Sequence, residues 1–359
     1  MHIGILTFHS VDNYGAVLQS FALQTYLSSF GHSVEIIDYR PAYFHSKPRP
    51  VLRPDQFIGR LVMSCASRRF ETFRREHLNR TTVCYSETDL ERKLPIYDLL
   101  IAGSDQIWNP TVDRRTDVDP IYFFSWNVPS TTRRISYESS FGTSAIDARF
   151  KDKIAKSLSA FDSISVREES GIEIVKTLCG KKAVWVCDPV FLLGGDWWRK
   201  TVCMPTARYN SVFSYMPPRL DTLNGFAKFI GSQVVTTGWN VRGLVSKRIS
   251  YSNPSPLGWV RQIGSSSCML TKSFHGLAFS IMLHTPFVYW LPDGDVPSNA
   301  ERCLGLLKYL GLDSRIVKLG ERFACNVADK FQDPIDWDGV DDKLSTYVQH
   351  SKDYLDAVV

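Results

Sequence analysis

The sequence lacks the spacings that mark most metal and nucleotide sites. It has eight cysteines among 359 residues but no C-x-x-C pair, so neither a zinc site nor a redox dithiol is expected. H-E-x-x-H, G-x-S-x-G, G-x-x-x-x-G-K-[ST] and EF-hand patterns are missing, which argues against zinc proteases, serine hydrolases, P-loop enzymes and EF-hand calcium binding. His275 and His284 are too far apart in sequence to share one helical face. We therefore expect no metal ion.

Long apolar runs and a strong charge bias are also missing. No run of about 18 apolar residues occurs, so no segment is expected to span a bilayer. A net charge of +5, from 42 basic and 37 acidic residues, is too dilute to indicate nucleic-acid binding. It fits an anionic substrate or an anionic membrane surface equally well. The opening residues 1–7 lack a basic n-region and a cleavage site, so we expect a cytoplasmic location with reduced cysteines.

Strand and helix patterns alternate in the first half of the chain. Residues 3–8 form an apolar run, helical spacing starts at Tyr14 and stops at Gly31, and residues 33–39 predict the next strand. Such a β-α-β unit implies a parallel sheet. Further strands are predicted at residues 97–102, 134–137, 163–167 and 183–186.

A second α/β series follows a proline and two glycines at residues 188–195. Its predicted strands are residues 211–215, 233–236, 267–271 and 287–290, and its predicted helices are residues 220–230, 257–264, one from about 276 and one from about 343. We therefore predict an N-terminal domain over residues 1–193, a C-terminal domain over 194–335, and a final helix over 336–359 that packs back on the first domain.

A basic segment interrupts the first series. Residues 41–56 are rich in proline and positive charge and are not expected to join the core. A helix follows over about 57–79, with one apolar stripe predicted from Phe57, Ile58, Leu61, Val62, Phe70 and Phe73. The basic residues of this region indicate either a solvated face or contact with phosphate or a membrane surface. They are Arg40, Lys47, Arg49, Arg53, Arg60, Arg68, Arg69, Arg74 and Arg75.

Ligands of open α/β sheets bind beyond the carboxyl ends of the strands, so the residues there are the first candidates. After the first strand, residues 9–16 contain a single glycine and no G-x-G-x-x-G, which argues against a dinucleotide. Asn13 either caps the next helix or, with Tyr14, contacts a sugar.

A carboxylate, an amide and an indole follow the strand at residues 97–102. Asp105, Gln106 and Trp108 offer hydrogen-bonding groups for sugar hydroxyls and an aromatic surface for sugar C–H groups. These side chains predict a carbohydrate site. The alternative is that Asp105 is a helix N-cap.

Two further strand ends carry cations. Arg167 ends the strand at residues 163–167 and can hold a carboxylate or phosphate with two hydrogen bonds, or form an ion pair with Glu168, Glu169 or another acid. His275 lies at the start of a helix that Ser273 is placed to cap. A helix N-terminus attracts anions, and a histidine there can bind phosphate or deliver a proton.

Taken together, these segments make the sequence resemble the polysaccharide pyruvyl transferase family. The resemblance implies a GT-B-like fold of two Rossmann-like, parallel-sheet domains facing a central cleft. It also implies transfer of pyruvate from phosphoenolpyruvate to sugar hydroxyls as a ketal. The matching segments are residues 4–8, 13–19, 103–109, 135–137, 140–142, 165–168, 188–189 and 273–276.

The resemblance also implies site residues. Arg167 and His275 match the donor-binding positions of the family, and the helix start at Ser273 and Gly276 would hold the donor phosphate. Some members have a basic residue where Ser273 stands, so Lys272 or Arg302 would complete the donor site here.

The resemblance supports a hypothesis for the chemistry. His275 would supply a proton to the methylene carbon or the departing phosphate, and Asp105 would polarise the acceptor hydroxyl. Asn13, Tyr14, Gln106 and Trp108 would shape the sugar site. Phosphoenolpyruvate would be the donor with no other cofactor, and the acceptor would be a glycan or lipid-linked oligosaccharide of a bacterial-type surface polysaccharide, at the inner membrane face. The alternatives are a nucleotide-sugar-dependent GT-B glycosyltransferase and a non-catalytic glycan-binding protein.

Overall fold

A computed structural model describes residues 1–44, 54–112, 115–238, 246–294 and 300–359. The chain forms two compact units. The first unit comprises Met1–Pro48, Arg74–Leu193 and Ser345–Val359, and the second comprises Arg49–Phe73 and Gly194–Leu344. All eight cysteines are free thiols. Among the described residues, no helix has both the length and the apolar character needed to cross a membrane.

The first unit is built on parallel strands. A four-stranded sheet has the order β2-β1-β3-β4, and β5 pairs with β6 in parallel. Isolated bridges from Ile135 to Ser163 and from Ser139 to Val166 continue the arrangement from β4 to β5. The strands are β1 His2–Leu6, β2 Ser33–Ile36, β3 Leu99–Ala102, β4 Arg133–Ser136, β5 Ile164–Val166 and β6 Ala183–Trp185.

Helices cover this sheet and bury its aliphatic strands. Strand β3 consists of four apolar residues, and all four are buried, as expected for a central parallel strand. Helix α1 is buried along nearly its whole length and is capped by Asn13. The helices of this unit are α1 Tyr14–Ser28, α3 Glu87–Lys93, α4 Ala148–Leu158, α5 Ser170–Cys179 and α6 Pro189–Leu192. Helix α2, Pro54–His77, belongs to the second unit up to Phe73 and to the first from Arg74.

The second unit contains one six-stranded parallel sheet. Its order is β9-β8-β7-β10-β11-β12, so chain order reverses between β7 and β10. The strands are β7 Tyr209–Tyr215, β8 Gln233–Thr236, β9 Ile249–Tyr251, β10 Ser266–Thr271, β11 Phe287–Leu291 and β12 Ile316–Lys318. The helices are α7 Gly194–Thr201, α8 Leu220–Ile230, α9 Pro256–Ser265, α10 Phe274–Met282, α11 Glu301–Leu310, α12 Phe323–Gln332 and α13 Trp337–Val358. This strand order is that of the Rossmann fold.

The last helix is tied to the first unit by its carboxyl half. Tyr347 donates a hydrogen bond to the carbonyl of Val186 at 2.9 Å, and Tyr354 donates to the carbonyl of Ser136 at 2.9 Å. Ser351 accepts a hydrogen bond from the Cys187 amide at 2.8 Å. Residues 345–359 therefore contact the carboxyl ends of β4 and β6 in this unit.

The predicted α/β class with parallel sheets is confirmed, and the differences are local. Strands β9 and β12 and helices α11 and α12 were not predicted, and α13 begins at Trp337 rather than near 343. Residues 45–53 of the predicted basic excursion lie outside the described residues. The single apolar stripe predicted for α2 is wrong: Phe70 and Phe73 are buried, whereas Phe57, Ile58 and Leu61 are exposed.

Candidate functional site

Polar side chains gather at the carboxyl ends of the first unit's strands. Asp105 follows β3, Glu138 follows β4, Arg167 follows β5 and Asp188 follows β6. Hydrogen bonds and ion pairs join all of these side chains, together with that of Ser104. The sheet edge at which ligands of α/β folds bind therefore carries a connected polar network.

Arg167 occupies the centre of this network and is fully buried. Its Nε donates to Glu138 at 2.8 Å and its Nη2 to the Ser104 hydroxyl at 2.6 Å. Asp105 and Asp188 each lie 3.4 Å from a guanidinium nitrogen. The structure thus favours the alternative reading, an ion pair with another acid. Carboxylates of its own unit engage each of its nitrogens, and the donor-binding role stays a prediction.

One guanidinium in this network faces several carboxylates. Burial raises the pKa of Glu138 well above its usual range, and Asp188 adds to this rise, although Arg167 opposes it. For Arg167, burial disfavours the charge, but the carboxylates, Glu138 foremost, raise its pKa above the ordinary value. Arg167 therefore keeps its charge, and Glu138 is the carboxyl group of this network that holds its proton to a higher pH than usual.

Asp105 is the most accessible carboxylate of the network, with 19% of its side chain exposed against 1% for Glu138. Its backbone has φ 88°, a left-handed conformation that is costly outside glycine and is found most often at functional sites. The Ser140 amide, 3.0 Å from the Asp105 carbonyl, helps to hold this conformation. No helix begins at Asp105, so the N-cap alternative is wrong.

Of the four residues predicted to bind the acceptor, two are buried and two are more exposed. Trp108 is fully buried, stacks on Phe123 at 5.3 Å and donates its indole N–H to the carbonyl of Tyr122. Tyr14 is also buried. Both rings are buried, so the structure gives no support to sugar stacking by Trp108 and Tyr14, which stays a prediction.

Asn13 and Gln106 keep more exposed positions. Asn13 caps α1 by accepting hydrogen bonds from the amides of Gly15 and Ala16 at 2.9 and 3.3 Å, which is the capping alternative. Gln106 is half-buried directly beside Asp105, and its side-chain oxygen accepts from Asn109 at 2.9 Å. Gln106 therefore remains the predicted acceptor residue closest in sequence to the exposed carboxylate.

Sequence reasoning missed Glu138 and Asp188 as members of the network. Both follow directly on strand ends, as Asp105 and Arg167 do, so the same rule points to them. A second missed group surrounds Asp38, which lies after β2 and is buried with His9 at 3.0 Å and Arg40 at 2.7 Å. Hydrogen bonds from His9 and Arg40 outweigh the effect of burial and hold the pKa of Asp38 well below its usual range.

In the second unit, the strand-order reversal places β7 beside β10, and this is where Rossmann folds bind ligands. The Thr271 hydroxyl at the end of β10 donates to the carbonyl of Tyr215 at the end of β7, 3.0 Å away. It also accepts from the Ser273 amide at 3.0 Å. Ser273 caps α10 as predicted, because its hydroxyl accepts from the Gly276 amide at 3.4 Å. A Cβ at Gly276 would lie 2.7 Å from the Thr271 hydroxyl, so glycine permits this close approach.

Cationic groups surround this helix start. His275 is buried in the first turn of α10, with its ring edge-on to Phe274 at 5.4 Å. Arg302, from the first turn of α11, places its guanidinium 5.1 Å from the centre of the Phe274 ring. Lys272 is exposed, with its ammonium 4.9 Å from the centre of the Trp290 ring. His275 and Arg302 therefore lie on either side of contacts with Phe274, next to the cap formed by Ser273, and Lys272 precedes that cap.

Arg302 differs from Arg167 in its hydrogen bonding. Its Nε and Nη1 atoms are buried, and neither has a hydrogen-bond partner among the described residues. Burying such donors without acceptors costs free energy, so a bound anion would satisfy them. Together with the amides of the α10 N-terminus, they form a candidate site for an anion that carries more than one acidic group.

The family model of polysaccharide pyruvyl transferases matches residues 13–292. The chain belongs to the polysaccharide pyruvyl transferase family. It is accordingly a transferase of polysaccharide synthesis. The matched range includes the polar network of the first unit and the α10 start of the second, but not Arg302. No curated protein matches the chain.

Solved structures similar to the chain share its fold at low identity. A glycosyltransferase of avilamycin A biosynthesis, AviGT4, has 12% identity and a TM-score of 0.52, over 99% of this chain and 96% of its own. The UDP-GlcNAc 2-epimerase of Neisseria meningitidis, bound to UDP-GlcNAc, has 11% identity and a TM-score of 0.51, over 100% and 99%. UGT89C1 of Arabidopsis thaliana, complexed with quercetin, has 11% identity and a TM-score of 0.51, over 98% and 93%. These similarities confirm the predicted GT-B class with two Rossmann-like units.

Proposed function

We propose that this transferase moves pyruvate from phosphoenolpyruvate to two hydroxyls of one sugar and so forms a cyclic ketal. The observation that carries the proposal is the α10 start, where helix amides, His275 and the unpartnered nitrogens of Arg302 meet. Phosphoenolpyruvate carries a phosphate and a carboxylate, and this site offers a helix N-terminus and a guanidinium to bind them.

The reaction requires a proton at carbon and the loss of phosphate. Protonated His275 gives its proton to the methylene carbon, and the adjacent carbon, now cationic, is attacked by the first sugar hydroxyl. The bond between this carbon and the bridging oxygen of the phosphate then breaks, and phosphate leaves with the bonding electrons. The second hydroxyl attacks the same carbon and closes the ketal. Each hydroxyl loses one proton. We assign the acceptance of the first to Asp105, because its carboxylate is the accessible one of its network, and the second proton goes to the departing phosphate.

The proposed acceptor is a glycan or lipid-linked oligosaccharide, since the family acts on polysaccharide. We propose that the protein meets it at the cytoplasmic face of the membrane. The basic residues of α2 support this placement because they favour an anionic lipid surface.

The variant Asp105→Asn is expected to lower sugar-dependent transfer by about a hundredfold or more, since a positioned base contributes roughly that factor. The Asp105 carboxylate accepts a hydrogen bond from the backbone amide of Gln106 at 2.8 Å. Asparagine keeps an oxygen that can accept the same hydrogen bond, so the fold should persist. Phosphate release from phosphoenolpyruvate in the presence of a sugar acceptor measures the change. A rate near that of the parent protein would remove Asp105 from the mechanism.

The variant Arg302→Gln is expected to weaken phosphoenolpyruvate binding by about tenfold or more, the usual value of a charge-assisted hydrogen bond. Thermal protection by phosphoenolpyruvate measures the affinity, with Lys228→Gln, an exposed cation on α8, as the control. Unchanged protection in Arg302→Gln would contradict the donor site. Protection by nucleoside diphosphates but not by phosphoenolpyruvate would instead favour a nucleotide-sugar-dependent glycosyltransferase.

A further inference from the structure

Helix α2 carries apolar residues on two opposite sides. One side is packed against the protein and includes Ala66, Phe70 and Phe73, all of them buried. The other side presents Phe57, Ile58 and Leu61 to solvent, with 57%, 48% and 52% of each residue exposed. At about 100° per residue, these three lie within one face, whereas Met63, 48% exposed, lies on the side of the buried residues. Packing on the protein therefore accounts for only part of the apolar surface of this helix.

Exposed positive charge borders the outward apolar face. Arg60, Arg68 and Arg69 are exposed on the same helix, and Arg69 also donates to the carbonyl of Asn253. Between residues 57 and 73 the sequence has one acidic residue, Glu71. An apolar face beside arginines is the pattern of helices that lie in the headgroup region of an anionic bilayer.

We propose that the outward face of α2, formed by Phe57, Ile58 and Leu61, inserts into the surface of an anionic lipid bilayer. Charge complementarity favours lipid over a second copy of the chain, because two such faces in contact would bring arginines against arginines. The inference rests on the proposed function in one respect: insertion would hold the enzyme beside a lipid-linked acceptor.

Flotation of the full-length protein with vesicles tests this inference. The parent protein is expected to float with phosphatidylcholine vesicles that contain phosphatidylglycerol, and much less with phosphatidylcholine alone. The double variant Phe57→Ser/Leu61→Ser is expected to lose at least about tenfold in partitioning, because two apolar side chains no longer insert. Phe229→Ser is the matched control, since Phe229 is an equally exposed phenylalanine of α8, 58% accessible.

Charge is tested separately with Arg60→Gln/Arg68→Gln, which should reduce binding to the anionic vesicles and make it less sensitive to salt. The inference is overturned if the parent protein does not float, or if the Phe57/Leu61 variant floats as well as the parent. It is also overturned if that variant abolishes a concentration-dependent dimer instead, which would identify a second copy as the occupant.

The two proposals fail in different ways. With a soluble sugar acceptor and no lipid, the Phe57/Leu61 variant should retain the parent's transfer activity, since α2 supplies no group to the chemistry. Absence of pyruvyl transfer in every variant would contradict the proposed function and leave the flotation result standing.

Discussion

Alanine in place of His275 is expected to reduce sugar-dependent pyruvyl transfer by roughly a hundred- to ten-thousandfold, the usual contribution of a positioned acid. The imidazole lies in the first turn of α10, beside Phe274 and close to the cap formed by Ser273. Histidine is the side chain that enzymes use most often as a general acid, and it is the one assigned to that role here. Initial rates of phosphate release, with product mass, measure the loss.

Two further variants separate chemistry from damage to the helix. His275→Gln keeps a polar side chain of similar length but cannot act as an acid, so its rate should fall about as far as that of His275→Ala. Ser273→Ala removes only the cap and should cost about 1 kcal/mol of stability. Near-parental transfer by His275→Gln, in a protein with a parental melting curve, would contradict the acid role.

Alanine in place of Glu138 is expected to destabilise the first unit by about 3–5 kcal/mol, as is usual when the hydrogen-bond acceptor of a buried charged side chain is removed. Glu138 is the closest acceptor of the buried Arg167, at 2.8 Å, and also accepts from the Ser104 hydroxyl. Its loss leaves Arg167 Nε without that acceptor inside the protein. Urea unfolding at neutral pH measures the change, and a cost below about 1 kcal/mol would contradict the role given to this pair.

The variant Glu138→Gln tests the protonation of the same group. Burial raises the folded-state pKa of Glu138 above its usual 4.5, so the folded state keeps a proton that the unfolded chain releases. The stability that Glu138 contributes is therefore complete below about pH 4.5 and declines as pH rises toward the folded pKa. Relative to the parent, Glu138→Gln should gain stability between pH 5 and pH 8. An opposite trend would show that the carboxyl group is ionised in the folded protein.

The alternating pattern predicted much of the fold because its elements are long and strongly apolar. Strand β8 and helix α8 have the predicted bounds. Strands β9 and β12, of three residues each, were missed. On α2, hydrophobicity alone does not separate the buried Phe70 from the exposed Phe57, because the distinction depends on tertiary packing.

The candidate sites show a similar limit. The strand-end rule pointed to Asp105, Arg167 and His275, but it does not tell whether a side chain faces solvent or the core. Trp108, which the same rule selected, is buried. The principal partner of Arg167 is Glu138, 29 residues earlier in the chain, and only the parallel arrangement of β4 and β5 brings them together. Conversely, Arg302 was proposed from a resemblance, and its unpartnered nitrogens became visible only in three dimensions.

The most direct test of pyruvyl transfer is phosphate release from phosphoenolpyruvate across a panel of galactosides, mannosides, N-acetylhexosaminides and their lipid-linked forms, with mass analysis of each product. We expect release that depends on one class of sugar, a product heavier by one pyruvate ketal, and loss of both in His275→Ala. No release with any acceptor, together with sugar transfer from a nucleotide sugar, would contradict the account.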